Sequence, residues 1–121
     1  QLDVEILGEN PDAKIPGLEG PRAKCCENGI YNSDVILVPL EDGDRCEALV
    51  AMGKVVLVID LNPLSRSAKM GSVTIVDELS RVADNLLHGA MQKTLRKPRT
   101  DYDNNNHLQS AIDHITSSLS S

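Results

Sequence analysis

The sequence of 121 residues contains no tryptophan, no phenylalanine and only two tyrosines. Any core must therefore be aliphatic, and the hydrophobic fraction of 40% is enough for one folded domain. No apolar run reaches the roughly 20 residues that a membrane span requires. A charged N-terminal segment followed by an apolar one is also absent, so we expect neither a membrane anchor nor a signal peptide.

Basic residues are scarce, with 12 Lys and Arg against 18 Asp and Glu, which gives a net charge of −6. Binding along a nucleic-acid backbone needs a basic surface, so this class of function is not expected. Cysteines are few as well: Cys25 and Cys26 are adjacent, and Cys46 leaves an odd number. This pattern indicates neither a disulfide framework nor a zinc site. We expect reduced thiols, a cytoplasmic location and no metal site built from protein ligands alone.

Apolar runs alternate with helical patterns through most of the chain. Alternating or continuous apolar residues predict strands at 2–7, 34–39, 55–59 and 73–76. Helices are predicted at 45–52, stopped by Gly53, and at 77–95, capped by Asp77, with a short helix or turn at 65–70. Frequent Pro and Gly predict an irregular connection over 8–32. Continuous apolar strands favour a doubly wound α/β fold with a mostly parallel sheet covered on both faces.

The C-terminal part differs from this body, which we assign to residues 1–95. Residues 96–121 are predicted to form a polar linker and a tail. Leu108, Ile112, Ile115 and Leu119 have helical spacing, but the tail is polar and ends in serines. A weak amphipathic helix and a disordered segment are both compatible with this composition.

Two loops that follow predicted strands carry the candidate chemistry, because ligands of open parallel sheets bind beyond the carboxyl ends of the strands. The first contains Asp42, Gly43, Asp44 and Arg45. Gly43 permits a close approach to the backbone, the helix start offers N–H groups to an anion, and the acids suit a ribose hydroxyl or Mg²⁺. Ordinary turn and capping chemistry explains the same residues.

The second loop contains Asp60, Leu61, Asn62, Ser65 and Arg66. An acid at a strand end, followed by Ser and Arg at a helix start, is typical of a ribose and phosphate site. Capping and turn formation are again the alternative. Together the two loops favour a phosphorylated or nucleotide ligand. His88, His107 and His114 are weak catalytic candidates. The loop cations Lys14, Arg22 and Lys24 could reach an anionic ligand, although solvated charges are the commoner outcome on such a loop.

Three stretches of this sequence resemble the archaeal 4-phosphopantoate–β-alanine ligase (phosphopantothenate synthetase) family. They are KIPGLE (14–19), NGIYNSDVILVPLEDGDR (28–45) and VIDLNPLSRS (58–67), and VTIVD (73–77) continues the match. The resemblance covers about residues 12–88, corresponds to the C-terminal half of the family and leaves the tail from about Ala90 unmatched. It implies a Rossmann-like, three-layer and incomplete domain.

The resemblance further implies an ATP-dependent, AMP-forming ligase of coenzyme A synthesis that uses Mg²⁺ and forms a homodimer. Its substrates are 4-phosphopantoate and β-alanine. Residues 42–44 and 60–62 match the family's nucleotide loops, to which we add Arg45, Ser65 and Arg66 as phosphate ligands. No catalytic residue is assigned, and the chain alone is predicted to be inactive. The alternatives are a nucleotide-binding fragment of an NAD-dependent oxidoreductase, which the lack of GxGxxG disfavours, and a non-enzymatic dimerisation module.

Overall fold

A computed structural model describes residues 3–92 and 96–120. Its elements are β1 (Ala13–Lys14), β2 (Lys24–Cys25), β3 (Val35–Pro39), α1 (Gly43–Ala51), β4 (Val55–Ile59), α2 (Arg66–Met70), β5 (Val73–Ile75), α3 (Leu79–Met91) and α4 (Asn104–Ser120). Strands β3, β4 and β5 form a parallel sheet in that order, and β1 pairs antiparallel with β2. None of the helices described is long and apolar enough to cross a membrane.

The α/β class and the parallel sheet are confirmed. Parallel strands require a crossover between them, and α1 and α2 supply the two crossovers. These helices pack on each other and on β4, and the side chains beneath them, Val38, Val56 and Val58, are buried. The alternate side chains face the other side of the sheet, where Val35 and Leu37 are exposed. The residues described therefore supply the sheet and one helical layer, as an incomplete domain does.

The long connection before β3 contributes to the core. It contains the short β1–β2 pair. Ile15, which directly follows β1 in the sequence, is completely buried. Ile15 and Cys25 belong to the same buried cluster as Cys46 and Leu49 of α1. The connection predicted to be irregular contains short elements of two to five residues, including helical turns at Pro21–Ala23 and Glu27–Tyr31, and hydrophobic burial fixes it to α1.

Side-chain caps set the helix starts that the sequence pattern misplaced. Helix α1 begins at Gly43, two residues before the prediction, because the Asp42 side chain accepts the Arg45 N–H at 2.8 Å. Helix α3 is capped by Glu78 and not by Asp77, since the Glu78 carboxylate accepts the N–H groups of residues 80 and 81. Gly53 ends α1 with a φ of 82°, as predicted. The predicted end of α3 at Leu95 lies outside the described residues.

The predicted first strand is wrong. Residues 3–6 form no strand, and Val4 and Ile6 are exposed. Alternation of apolar and acidic residues suits a half-buried strand, but a strand also needs a hydrogen-bonded neighbour. Within the described part of the chain, no strand pairs with this segment.

The tail takes the helical alternative. Helix α4 packs on α2 and β5, and Leu108 is buried in that contact. Asn104, at the start of α4, accepts the Thr74 N–H at 2.8 Å and donates to the carbonyls of Ala68 and Gly71. The Asn104 amide therefore occupies the outer edge of β5. These polar contacts add to the burial of Leu108 and explain how α4, whose apolar stripe is weak, packs on α2 and β5.

Candidate functional site

The first loop lies between β3 and α1, and its acids lie at the start of α1. Asp42 caps the helix, while Asp44 stands in its first turn. The loop is joined to α2 through Ser67, whose buried hydroxyl donates to the Glu41 carbonyl. Folding therefore brings the first loop against the helix that follows the second loop, as the parallel-sheet prediction required.

Gly43 is the point of closest approach between the two loops. A Cβ atom on Gly43 would lie 2.5–2.8 Å from the Cβ, Cγ and Cδ atoms of Arg66. The Arg66 guanidinium then continues along α1 and donates to the carboxylates of Asp44 and Glu47. The sequence predicted that Gly43 allows close approach of a ligand, whereas in the structure the group lying over Gly43 is the aliphatic part of Arg66.

Arg22 completes this charged cluster from the N-terminal connection. Its guanidinium donates to Asp42 Oδ2 at 3.1 Å and to Asp44 Oδ2 at 3.4 Å. No local pattern in the sequence distinguishes Arg22 from the neighbouring loop cations Lys14 and Lys24. Glu47 was also missed, although its spacing of three residues from Asp44 places both acids on one face of α1.

We call the five residues Arg22, Asp42, Asp44, Glu47 and Arg66 the arginine–carboxylate cluster. The N–H of Arg45 and the guanidinium of Arg22 together hold the pKa of the Asp42 carboxyl below its usual value. In return, the hydrogen bond to Asp42 raises the pKa of Arg22, and the contact with Glu47 raises that of Arg66. The cluster is exposed to solvent and almost charge-balanced, so its ion pairs can exchange for a charged ligand at little cost.

Arg45 lies apart from this cluster. Its Nε atom is 3.7 Å from Glu41 Oε2 and has no hydrogen-bond partner. Its side chain lines a separate cavity of about 750 Å³, together with Lys24, Ser33 and the segment 6–9. Of the residues predicted in the first loop, the structure therefore groups Asp42, Gly43 and Asp44 with Arg66, but not Arg45.

The second loop is held by its own hydrogen bonds. Asp60 accepts the Asn62 N–H at 2.9 Å and the Ser65 hydroxyl at 2.5 Å. Asn62 Oδ1 accepts the Leu64 N–H, and Ser65 caps α2 by accepting the Ala68 N–H. Leu61, at the tip, is exposed. The polar side chains of this loop thus build its shape, and Leu61 is the apolar residue that it leaves in solvent.

The cysteines lie outside the cluster and are free thiols. Burial raises the pKa of Cys25, and it raises the pKa of Cys46 to about 11. Both are therefore poor nucleophiles at neutral pH. His88, His107 and His114 are exposed on α3 and α4, away from the two loops.

The geometry defines a class: a parallel α/β sheet whose strand-end loops bring charged side chains together beside a helix start. A family model described as phosphopantothenate/pantothenate synthetase matches residues 3–118. The chain belongs to this family, which confirms the resemblance found in the sequence. The match also extends past Ala90, so the tail that the resemblance left unmatched is part of the family's sequence.

Curated relatives give the same result. The 4-phosphopantoate–β-alanine ligase of Thermococcus kodakarensis is 50% identical over 123 residues, covering 97% of this chain and 47% of that protein. The enzymes of the same name from Thermococcus onnurineus and Methanosarcina mazei are each 48% identical, with similar coverage. The chain therefore spans about half the length of the curated relatives it matches.

Proposed function

We propose that this chain supplies the nucleotide-binding part of a ligase that joins 4-phosphopantoate and β-alanine to give 4′-phosphopantothenate, with ATP cleaved to AMP and pyrophosphate. The observation that carries the proposal is the meeting of the two strand-end loops at Gly43 and Arg66. The names of the relatives support the two substrates and the ligase reaction. ATP, AMP formation and coenzyme A synthesis follow from the resemblance noted in the sequence.

The start of α1 suits the nucleotide phosphates. The Asp42 carboxylate accepts the Arg45 N–H and is also stabilised by the Asp44 N–H, while the Gly43 N–H lies in the first turn of the helix, where an anion is stabilised. Arg66 already lies over this turn, and Arg22 approaches it from the other side. Transfer of both guanidinium groups from the carboxylates to the phosphates would place two positive charges on the nucleotide.

Mg²⁺ fits the carboxylates that such an exchange releases. Across residues 3–92 and 96–120, no three His, Cys, Asp or Glu side chains are grouped to hold a metal ion. Mg²⁺ usually takes one or two carboxylates together with substrate phosphates and water. Asp42 and Asp44 are the residues that would hold it, and the ion would neutralise phosphate charge.

The reaction needs positioning and charge neutralisation more than covalent chemistry from the protein. A carboxylate must approach the α-phosphate against like charge, and the amine must then be held against the acyl group. Arg22 and Arg66 suit the first task. Asp60, Asn62 and Ser65 maintain the second loop, in which the exposed Leu61 is available for contact with a nucleotide. Arg45 faces a different cavity, so we assign it to a neighbouring anion site in place of the predicted phosphate contact.

The family match favours the ligase over the oxidoreductase and over a non-enzymatic dimerisation module. Because more than half of the Thermococcus kodakarensis ligase has no counterpart here, we expect no turnover by the chain alone. Homodimerisation of a family-length protein and a cytoplasmic location remain predictions.

The test is a fusion of this chain to the unmatched part of the Thermococcus kodakarensis ligase, in place of that protein's own matched region. We expect AMP formation that requires both 4-phosphopantoate and β-alanine. Arg66→Gln should lower kcat/KM about tenfold or more, as loss of one charged contact to phosphate does. Arg99→Gln is the matched control, because Arg99 pairs with Asp101 in the linker before α4, away from the two loops in sequence.

The proposal fails if the fusion is folded but inactive while the unmodified Thermococcus ligase is active in the same assay. Equal losses from Arg66→Gln and Arg99→Gln would instead remove Arg66 from the site. Binding of NAD in preference to Mg·ATP by the fusion would support the oxidoreductase.

A further inference from the structure

One face of the β3–β4–β5 sheet carries an apolar surface that the described residues leave open. The strand register aligns Val35 with Val55, and Leu37 with Leu57 and Val73. Val35, Leu37 and Val55 are 55%, 46% and 43% exposed, whereas Val56 and Val58 on the opposite face are fully buried. We call the aligned residues Val35, Leu37, Val55, Leu57 and Val73 the open face. An aliphatic surface of this kind on a three-stranded sheet is normally covered by another layer.

The outer edge of β3 is open as well, and the register shows which groups it presents. Val55 N–H donates to the Asp34 carbonyl, and Leu40 N–H donates to the Ile59 carbonyl. Even-numbered residues of β3 therefore bond to β4, while the N–H groups of Val35 and Leu37 point away from the sheet. Neither N–H has a partner among the residues described. Pro39, the next outward position, has no N–H and ends the available edge.

The two edges of the sheet are treated differently. At the β5 edge, the Asn104 amide takes the Thr74 N–H and donates to two nearby carbonyls. The β3 edge has no such cover, and its sequence Val-Ile-Leu-Val has none of the charges that protect natural edge strands. Strand β3 therefore has the composition of an interior strand.

We propose that the open face and the β3 edge bind the polypeptide that forms the other half of a family-length protein. One strand of that half would pair with β3 from Val35 to Leu37, and an apolar layer would cover the face. The relatives supply the argument for this occupant, since more than half of the Thermococcus kodakarensis ligase lies outside the match. The inference rests on family membership and not on the nucleotide site.

A second copy of this chain is a poorer occupant. Two copies that paired through β3 would share one longer sheet, and the open faces of both copies would then lie side by side, still uncovered. The edge would be satisfied, but the apolar area that each copy exposes on its open face would stay the same. A segment that brings both a strand and a covering layer removes both problems at once.

The test uses amide hydrogen exchange in the 121-residue chain and in the fusion to the unmatched part of the Thermococcus kodakarensis ligase. We expect exchange of the Val35 and Leu37 amides to slow at least tenfold in the fusion. The amides of Ile36 and Val38, which already bond to β4, should change much less. A folded fusion in which Val35 and Leu37 exchange as fast as in the chain alone overturns the proposal.

Association in trans gives a second measurement. When the unmatched part is added as a separate polypeptide, Leu37→Glu should weaken its binding about 30-fold, as loss of a central apolar anchor does. Leu119→Glu, at an 83% exposed position on α4, is the matched control and should have no effect. Equal effects of the two substitutions on binding would contradict the proposal. It would also be contradicted if the 121-residue chain alone had the mass of a dimer and its Val35 amide exchanged more slowly at higher protein concentration. An inactive fusion with protected Val35 would refute the proposed function only.

Discussion

The two strand-end loops reach their shapes by opposite routes. The second loop is closed by its own side chains, because those of Asp60, Asn62 and Ser65 bond to groups at most five positions away. The first loop depends on distant partners, since Arg22 and Arg66 are 20 or more positions from the carboxylates of Asp42 and Asp44 that they contact. In a site built from both loops, the second loop is the fixed side. The first loop is the side whose ion pairs can rearrange around a charged ligand.

The largest expected effect comes from separating the two loops at Gly43. In Gly43→Ala the new methyl group would overlap the Arg66 side chain, so the contacts of Arg66 with Asp44 and Glu47 would be disturbed. We expect the free energy of unfolding to fall by about 1–3 kcal/mol, as overpacking does. Urea denaturation provides the measurement.

Gly89→Ala is the matched control for this change. Gly89 lies inside α3 with no atom near its missing Cβ, so alanine there should stabilise the protein by up to about 1 kcal/mol. Opposite signs for the two substitutions are expected. If Gly43→Ala were neutral, the two loops would not be in the close contact described here.

A smaller effect is expected from opening the second loop. Ser65→Ala removes the cap of α2 and the hydrogen bond to Asp60, at about 1 kcal/mol. Because this loop is self-contained, chemical shifts should change around 60–68 and remain the same at Arg22 and Asp42. Ser110→Ala, which removes an exposed hydroxyl bonded within α4, should leave stability almost unchanged. Shift changes that spread to Arg22 would show that the two loops are not independent.

The same contrast explains what the sequence could predict. Strands β3, β4 and β5 and the use of Ser65 as a cap follow from local patterns, which act over a few residues. The shape of the second loop was predictable for this reason. The roles of Arg22 and Glu47 were not, because Arg22 meets its partners only when the N-terminal connection folds onto α1.

Two wrong predictions have a related cause. The alternating pattern at 2–7 describes a strand that would need a neighbour, and residues 3–6 have none among the described residues. For α3, Asp77 was predicted as the cap because aspartate is a preferred N-cap residue, but the helix begins at Leu79, and the Glu78 carboxylate accepts the N–H groups of Ser80 and Arg81. The local sequence pattern shows neither whether a partner strand is present nor at which residue the helix begins.

The smallest effect on stability, and the most specific one, concerns the titration of Asp42. Its pKa is held below the ordinary value mainly by the Arg45 N–H and next by Arg22. A carboxyl whose folded pKa is below its unfolded pKa of about 3.9 stabilises the protein above that pH. This contribution is lost as the pH falls through the folded value, because the folded state must then take up the proton.

Arg22→Gln removes one of these two causes and leaves the other, so the pKa of Asp42 should rise but stay below about 3.9. A ¹³C titration of the side-chain carboxyl measures it directly. Asp101, whose pKa is lowered by Arg99, is an internal control that should titrate identically in both proteins. The loss of stability at neutral pH should be at most about 1 kcal/mol, since the ion pair is exposed. An unchanged Asp42 titration would mean that the cap alone fixes this carboxylate and that the first loop, like the second, is self-contained.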